Sequence, residues 1–140
     1  MSSKLVIDTN VFVSALISPS GASRAVLRAC LQGKYKPLMG TALLMEFESI
    51  LGRSEVMARC PISKADIEVL LAALMSVSQW VQVYYLWRPN LKDEADNHLI
   101  ELAIAGNAEA IVTQNIKDFQ RAELLFPQLS IISPEALITE

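Results

Sequence analysis

At 140 residues, 52% hydrophobic and 19% charged, with a formal net charge of -3, the chain has the composition of a globular protein and not of a disordered or linker-rich one. It lacks the broad basic balance usual in duplex nucleic-acid binders. A globule of this size buries about two-thirds of the surface its unfolded chain exposes, so residues 1–140 are expected to form a single domain. An aspartate interrupts the first apolar stretch, MSSKLVIDTN, so neither a signal peptide nor a membrane span reads there, and a cytoplasmic location is the expectation. Cys30 and Cys60 lack CxxC spacing and His98 is the single histidine, which excludes a conventional zinc set and leaves two reduced thiols.

Strand and helix alternate along the chain. KLVID reads as a short buried strand, and NVFVSALI as a helix closed by the Pro19-Ser20-Gly21 turn. Residues 22–32 have apolar side chains at helical spacing, with Gly33 as the C-terminal stop. KPLM is a weaker second strand; Thr41 is placed to cap the helix TALLMEFESIL, and Ser63 with Asp66 forms a capping box for a long apolar helix over 64–79. WVQVYY alternates and is rich in β-formers, predicting a third strand. Asp93 caps a helix through ADNHLIELAIAG, AIVT is a fourth strand and LSII before Pro134 a fifth. Short strands apolar on both faces, separated by helices, predict an α/β fold with a parallel sheet covered on each side.

Acids fall where this arrangement concentrates chemistry. Sites in open α/β sheets form beyond the carboxyl ends of the strands, where Asp8 follows the first strand and Thr113, Asn115 and Asp118 follow the fourth. Asp8 suits either a helix cap or a ligand. Glu46 borders the apolar stripe Leu43, Phe47 and Ile50 with no basic helical neighbour, whereas Glu48 is turned to the surface. Asp96 lies on the stripe of Leu99, Ile100 and Ala103, in a first turn where the helix dipole favours negative charge; Asp93 serves as its cap or support. Asp118 suits a turn start, and His98 reads as a polar surface histidine. Arg24, Arg28, Lys34 and Lys36 read as a solvated basic face. Four carboxylates reaching one crevice (Asp8, Glu46, Asp96, Asp118) repel unless a cation joins them, and such hard oxygen donors suit Mg²⁺ or Mn²⁺. The chemistry this implies is metal-assisted phosphodiester hydrolysis.

VIDTNVFVSAL, the isolated Glu46, DEADNHLIELAIAGNAEAIVT and TQNIKDF occur in an order and at separations that resemble the PIN-domain family over nearly the whole chain. The match is nearest to the small bacterial PIN-domain toxins of toxin–antitoxin modules, the VapC-like ribonucleases. The resemblance implies a Rossmann-like, three-layer fold with the first strand central, an acidic pocket for one or two Mg²⁺ or Mn²⁺ ions, single-stranded RNA as substrate and an antitoxin as partner. By position Asp8, Glu46 and Asp96 match the family's metal ligands and Asp118 a fourth. Asn10 and Thr113 match polar positions that support the ligands, and Asn115 stands where many relatives carry an aspartate. Members of the family often form homodimers, and the helix over 64–79 offers a self-complementary face; core burial accounts for its apolar residues equally well.

Rival folds fit less well. A haloacid-dehalogenase-like phosphatase needs a second acid where Asn10 stands, and a receiver domain needs a lysine after the late strand, where Gln114 and Asn115 follow. The remaining alternative is a PIN fold kept as a binding or assembly module that contacts RNA or an antitoxin without cutting.

Overall fold

The computed structural model describes residues 3–18, 20–83, 97–119 and 126–139. Strands β1 (Ser3–Ile7), β2 (Tyr35–Met39), β3 (Gln79–Trp80), β4 (Ala110–Val112) and β5 (Ser130–Ile132) form one parallel sheet in the order β3-β2-β1-β4-β5. The first strand is therefore central, as expected. Between the strands run helices α1 (Thr9–Ile17), α2 (Ala22–Leu31), α3 (Thr41–Leu51), α4 (Ser54–Met57), α5 (Lys64–Val77) and α6 (Asn97–Ala105). A 3-10 turn over Ile116–Phe119 and helix α7 (Pro134–Thr139) follow.

Both faces of the sheet are covered, and the strands carry the reason in their residues. Leu5, Val6 and Ile7 of β1 are all buried, as are Ile111 and Val112 of β4, although neighbours along a strand point to opposite faces. Helix α6 lies over β1, β2 and β4 and touches α3, while α2 packs on β2, α1, α5 and α7. The rings of Phe12 on α1 and Phe47 on α3 meet at 5.1 Å between centroids, tilted by 34°. That contact, worth about 0.5–1.5 kcal/mol beyond the area it buries, clamps the two helices that carry the candidate site.

Helix ends follow local chemistry. Gly33, at φ 84°, ends α2 in the left-handed conformation, and the N–H groups of Gly33 and Lys34 return to the carbonyls of Cys30 and Ala29. Asn107, at φ 59°, ends α6 in the same way, with Ala108 N–H on Ala103 O. The Ser63 hydroxyl accepts from Asp66 N–H at 3.1 Å, as the capping box predicts.

Two expectations are corrected. Thr41 is the first residue of α3 and not its cap; Gly40 holds the cap position, where a Cβ would lie 3.1 Å from Val81 O and 3.2 Å from Leu102 Cδ1. The third strand is shorter than WVQVYY suggests. Among the described residues Gln79 and Trp80 pair with β2 and Val81 N–H donates to Met39 O at 2.8 Å; Tyr84 and Tyr85 lie outside the described residues. Among the described residues, no helix is long and apolar enough to cross a membrane.

Candidate functional site

The chain builds outward from β1 through β2 to β3, then returns to the other side of β1 for β4 and β5. Direction reverses between β1 and β4, so a crevice opens beyond their carboxyl ends. Ile7 pairs with Val112, and the next residue on each strand is polar: Asp8 and Thr113. Asp8 N–H donates to Val112 O at 3.0 Å, which holds the two strand ends in step.

Asp8 is 4% exposed and Thr113 is fully buried. The Thr113 hydroxyl donates to Asp8 Oδ2 at 2.8 Å, and Asn10 Nδ2 reaches the same oxygen at 3.3 Å. Thr113 Oγ1 in turn accepts from Asn115 N–H at 3.0 Å, while Asn10 Oδ1 accepts from Gln114 N–H at 3.3 Å. One oxygen of the carboxylate is thus fixed by a chain of donors. The other lies 3.4 Å from the Thr9 hydroxyl. Asp8 stands at the cap position of α1, yet its side chain closes no capping hydrogen bond and its shortest bond runs across the sheet to Thr113.

Glu46 arrives from α3. Its Oε1 accepts from the Thr9 hydroxyl at 2.8 Å, so Thr9 stands between the two acids. Its Oε2 lies 2.5 Å from His98 Nε2, at the start of α6. His98 is therefore half-buried and paired, which corrects its reading as a surface histidine. The signal available was its position beside Asp96 at a helix start aimed at the sheet ends.

Electrostatics divide the pair. Burial pushes the Asp8 carboxyl above its ordinary value and the nearby Glu46 charge adds to this, against the pull of the Thr113 bond and, more weakly, of the Asn10 and Thr9 N–H groups. Glu46 is lowered, chiefly by its bond to His98, with help from Thr9 and from the charges of His98 and Arg53, while burial opposes. Neither acid forms an ion pair with a lysine or arginine among the described residues.

The remaining expected residues fare differently. Asn115 is exposed and contributes its N–H to Thr113. Asp118 is exposed on the 3-10 turn, its N–H on Asn115 O at 3.0 Å. Asp93 and Asp96 lie outside the described residues. The stripe assigned to Asp96 is in place, since Leu99, Ile100 and Ala103 are all buried on α6. Among the described residues no group of three or more His, Cys, Asp or Glu is arranged to hold a metal ion. Two carboxylates with polar support remain, and this suits Mg²⁺, which is commonly bound by one or two carboxylates together with waters and substrate phosphates.

Residues 4–117 match the model of the PIN domain, and the chain belongs to that family. Its fold is similar to the crystal structure of VapBC2 from Rickettsia felis bound to a DNA fragment from their promoter. The TM-score is 0.64 at 18% identity, covering 93% of this chain and 98% of that one. At this identity the likeness concerns the fold alone. No curated protein matches the chain.

Proposed function

We propose that the protein is a Mg²⁺- or Mn²⁺-dependent endoribonuclease acting on single-stranded RNA, working in the cytoplasm as the toxin of a toxin–antitoxin module with residues 1–140 as one domain. The observation that carries this reading is the meeting of Asp8 and Glu46 at the ends of β1 and β4, where Thr9 links them and neither forms an ion pair with a lysine or arginine among the described residues. Membership of the PIN-domain family supports it. So does a fold similar to one solved as VapBC2 with promoter DNA, which also supports an antitoxin as partner.

In this reading Asp8 and Asp96 are the principal ligands, with Glu46 and Asp118 completing the acidic set. Helix α6 begins at the pocket, since His98 touches Glu46, and Asp96 directly precedes that helix in the chain. A bound divalent ion supplies a lowered pKa for attacking water and counter-charge for the phosphate. Thr113 and Asn10 fix Asp8 Oδ2, leaving Oδ1 toward the pocket for the ligand role. Thr9 and His98 hold Glu46 ionised, so that it can orient the nucleophilic water as its proton leaves. Attack in line would leave a 3′-hydroxyl and a 5′-phosphate.

The test is Mn²⁺-dependent cleavage of single-stranded RNA beside a calorimetric Mn²⁺ titration. Asp8→Asn and Asp96→Asn should each abolish cleavage, and wild type should bind Mn²⁺ in the micromolar range, about 8 kcal/mol of binding free energy. Cleavage at the wild-type rate by either variant refutes the assignment. The second reading, a PIN fold kept as a non-catalytic binding module, is favoured by the neutral Asn115 and the exposure of Asp118. It requires neither Mn²⁺ binding nor cleavage.

A further inference from the structure

Of the basic residues that stand together in the sequence, Arg24 and Lys36 are engaged in the fold. Arg24 Nε donates to Ala15 O at 2.8 Å, closing the last turn of α1, and Lys36 Nζ lies 3.4 Å from Val77 O at the end of α5. Arg53 and Arg59 are different. They flank the four-residue helix α4, both are exposed, and neither has an ion-pair partner among the described residues. Both line a groove of about 420 Å³ that also takes in Thr9 and Asn10, the residues touching the two acids of the candidate site. Val13, Ile50 and Val56 supply apolar wall.

A chain with net charge -3 repels RNA at long range, so a binding track needs local cations. Guanidinium groups meet phosphates with paired N–H donors and also stack on bases. The volume lies within the about 300–1,000 Å³ typical of small-ligand clefts. We infer that this groove is a nucleotide subsite leading to the acidic pocket, in which Arg53 and Arg59 hold backbone phosphates of single-stranded RNA and a splayed base lies against the apolar wall. The inference deepens the proposed ribonuclease function and rests on it for the identity of the substrate. The occupant is RNA on the strength of charge complementarity and the groove's continuity with Thr9 and Asn10.

The test separates binding from cutting. Anisotropy of a labelled single-stranded RNA hexamer is measured in EDTA with wild type, the double variant Arg53→Ala/Arg59→Ala, and Arg28→Ala, which removes an exposed charge outside the groove. The double variant should bind roughly tenfold more weakly, and its log K against log salt slope should shrink by about 1.4, or about 0.7 per lost phosphate contact on a single strand. Arg28→Ala should stay within twofold. The double replacement Arg53→Lys/Arg59→Lys should restore the slope but only part of the affinity, a pattern that loss of folding cannot produce. Unchanged affinity and slope in the alanine double variant overturns the subsite and leaves the groove to a protein partner. Equal affinity for a duplex of the same length also overturns it, because a paired base cannot enter the slot. If wild type binds through the arginines yet never cleaves with Mn²⁺, the nuclease reading fails while the groove stands; cleavage indifferent to both arginines gives the reverse.

Discussion

Asp8→Asn is expected to stabilise the metal-free protein while abolishing the proposed RNA cleavage. The amide oxygen can keep the bonds from Thr113 and Asn10, and its NH₂ can face the Thr9 hydroxyl oxygen, so no buried partner is stranded. What disappears is repulsion. Asp8 Oδ1 and Glu46 Oε1 lie 3.4 Å and 2.8 Å from the same hydroxyl oxygen, which puts them at most 6.2 Å apart. Two unit charges at that distance repel by about 2.7 kcal/mol at an effective dielectric of about 20. Glu46 is one-third exposed and its charge is offset by the His98 contact, which cuts the gain to roughly 1 kcal/mol, or a melting temperature about 3 °C higher for a chain of this size. The sign depends on pH. The folded Asp8 pKa sits above the ordinary 3.8, so the native state holds an extra proton between the two values, and stability falls as pH rises through the folded value. The variant's advantage should therefore be absent below pH 3.8, grow through the acid range and level off by neutrality. Calorimetric melting in EDTA at pH 3.5 and 7.5 reads both ends. Adding Mn²⁺ at one hundred times its dissociation constant should raise wild type alone by about 2.7 kcal/mol and reverse the order. A variant melting several degrees below wild type in EDTA at pH 7.5 would mean that Asp8 is a structural acceptor, and the case for a charge held in readiness for a cation would fail.

Thr113→Val removes the hydroxyl that donates to Asp8 and accepts from Asn115 N–H, and should lower stability by about 1.5–3 kcal/mol in urea unfolding. Phe12→Ala should cost about 3–5 kcal/mol by opening the Phe12–Phe47 contact, and should weaken Mn²⁺ binding measured by calorimetry because α1 and α3 then lose their clamp. His98→Ala removes the main influence lowering Glu46. In wild type the lowered Glu46 stabilises the fold above pH 4.5, and that contribution is lost as pH falls through the folded value; the variant should lose this part of its acid dependence, visible in melting curves between pH 3 and 5.

The parallel sheet was readable because β1 and β4 are buried on both faces, and only a covered parallel strand tolerates consecutive apolar residues such as Leu5, Val6 and Ile7. Asp8 and Glu46 stood out for the complementary reason, as acids beside apolar stretches. The structure brings them together through Thr9, whose hydroxyl carries no distinguishing pattern in the sequence. Other features were hidden by tertiary crowding or weak signal. Gly40, not Thr41, holds the cap, at a position where a Cβ would sit tightly against Val81 O and Leu102 Cδ1, residues about 40 and 60 positions away. Helix α4 has no buried residue and hence no apolar stripe to reveal it. His98 pairs with Glu46 across 52 residues of sequence, and local reading had no means of joining them.

These differences bear on how the site is held. Were Asp8 only a helix cap, the N–H groups of α1 would be its principal partners. Instead the Asn10 and Thr9 N–H groups act on it only weakly and close no capping hydrogen bond, and the side chain is bound across the sheet to Thr113, at the point where β1 and β4 lie side by side. Burial beside a second acid is unfavourable for both the carboxylate and the fold, and the donors from Thr113 and Asn10 recover only part of that cost. An arrangement that raises one acid and lowers its neighbour leaves two oxygens with unlike proton affinities facing one crevice. A divalent cation held by Asp8 would offset that penalty in place of its proton, so metal affinity should fall with decreasing pH as Asp8 takes up that proton. Calorimetric Mn²⁺ titrations across the acid range would show this dependence in wild type, and a pH-independent affinity would place the cation elsewhere.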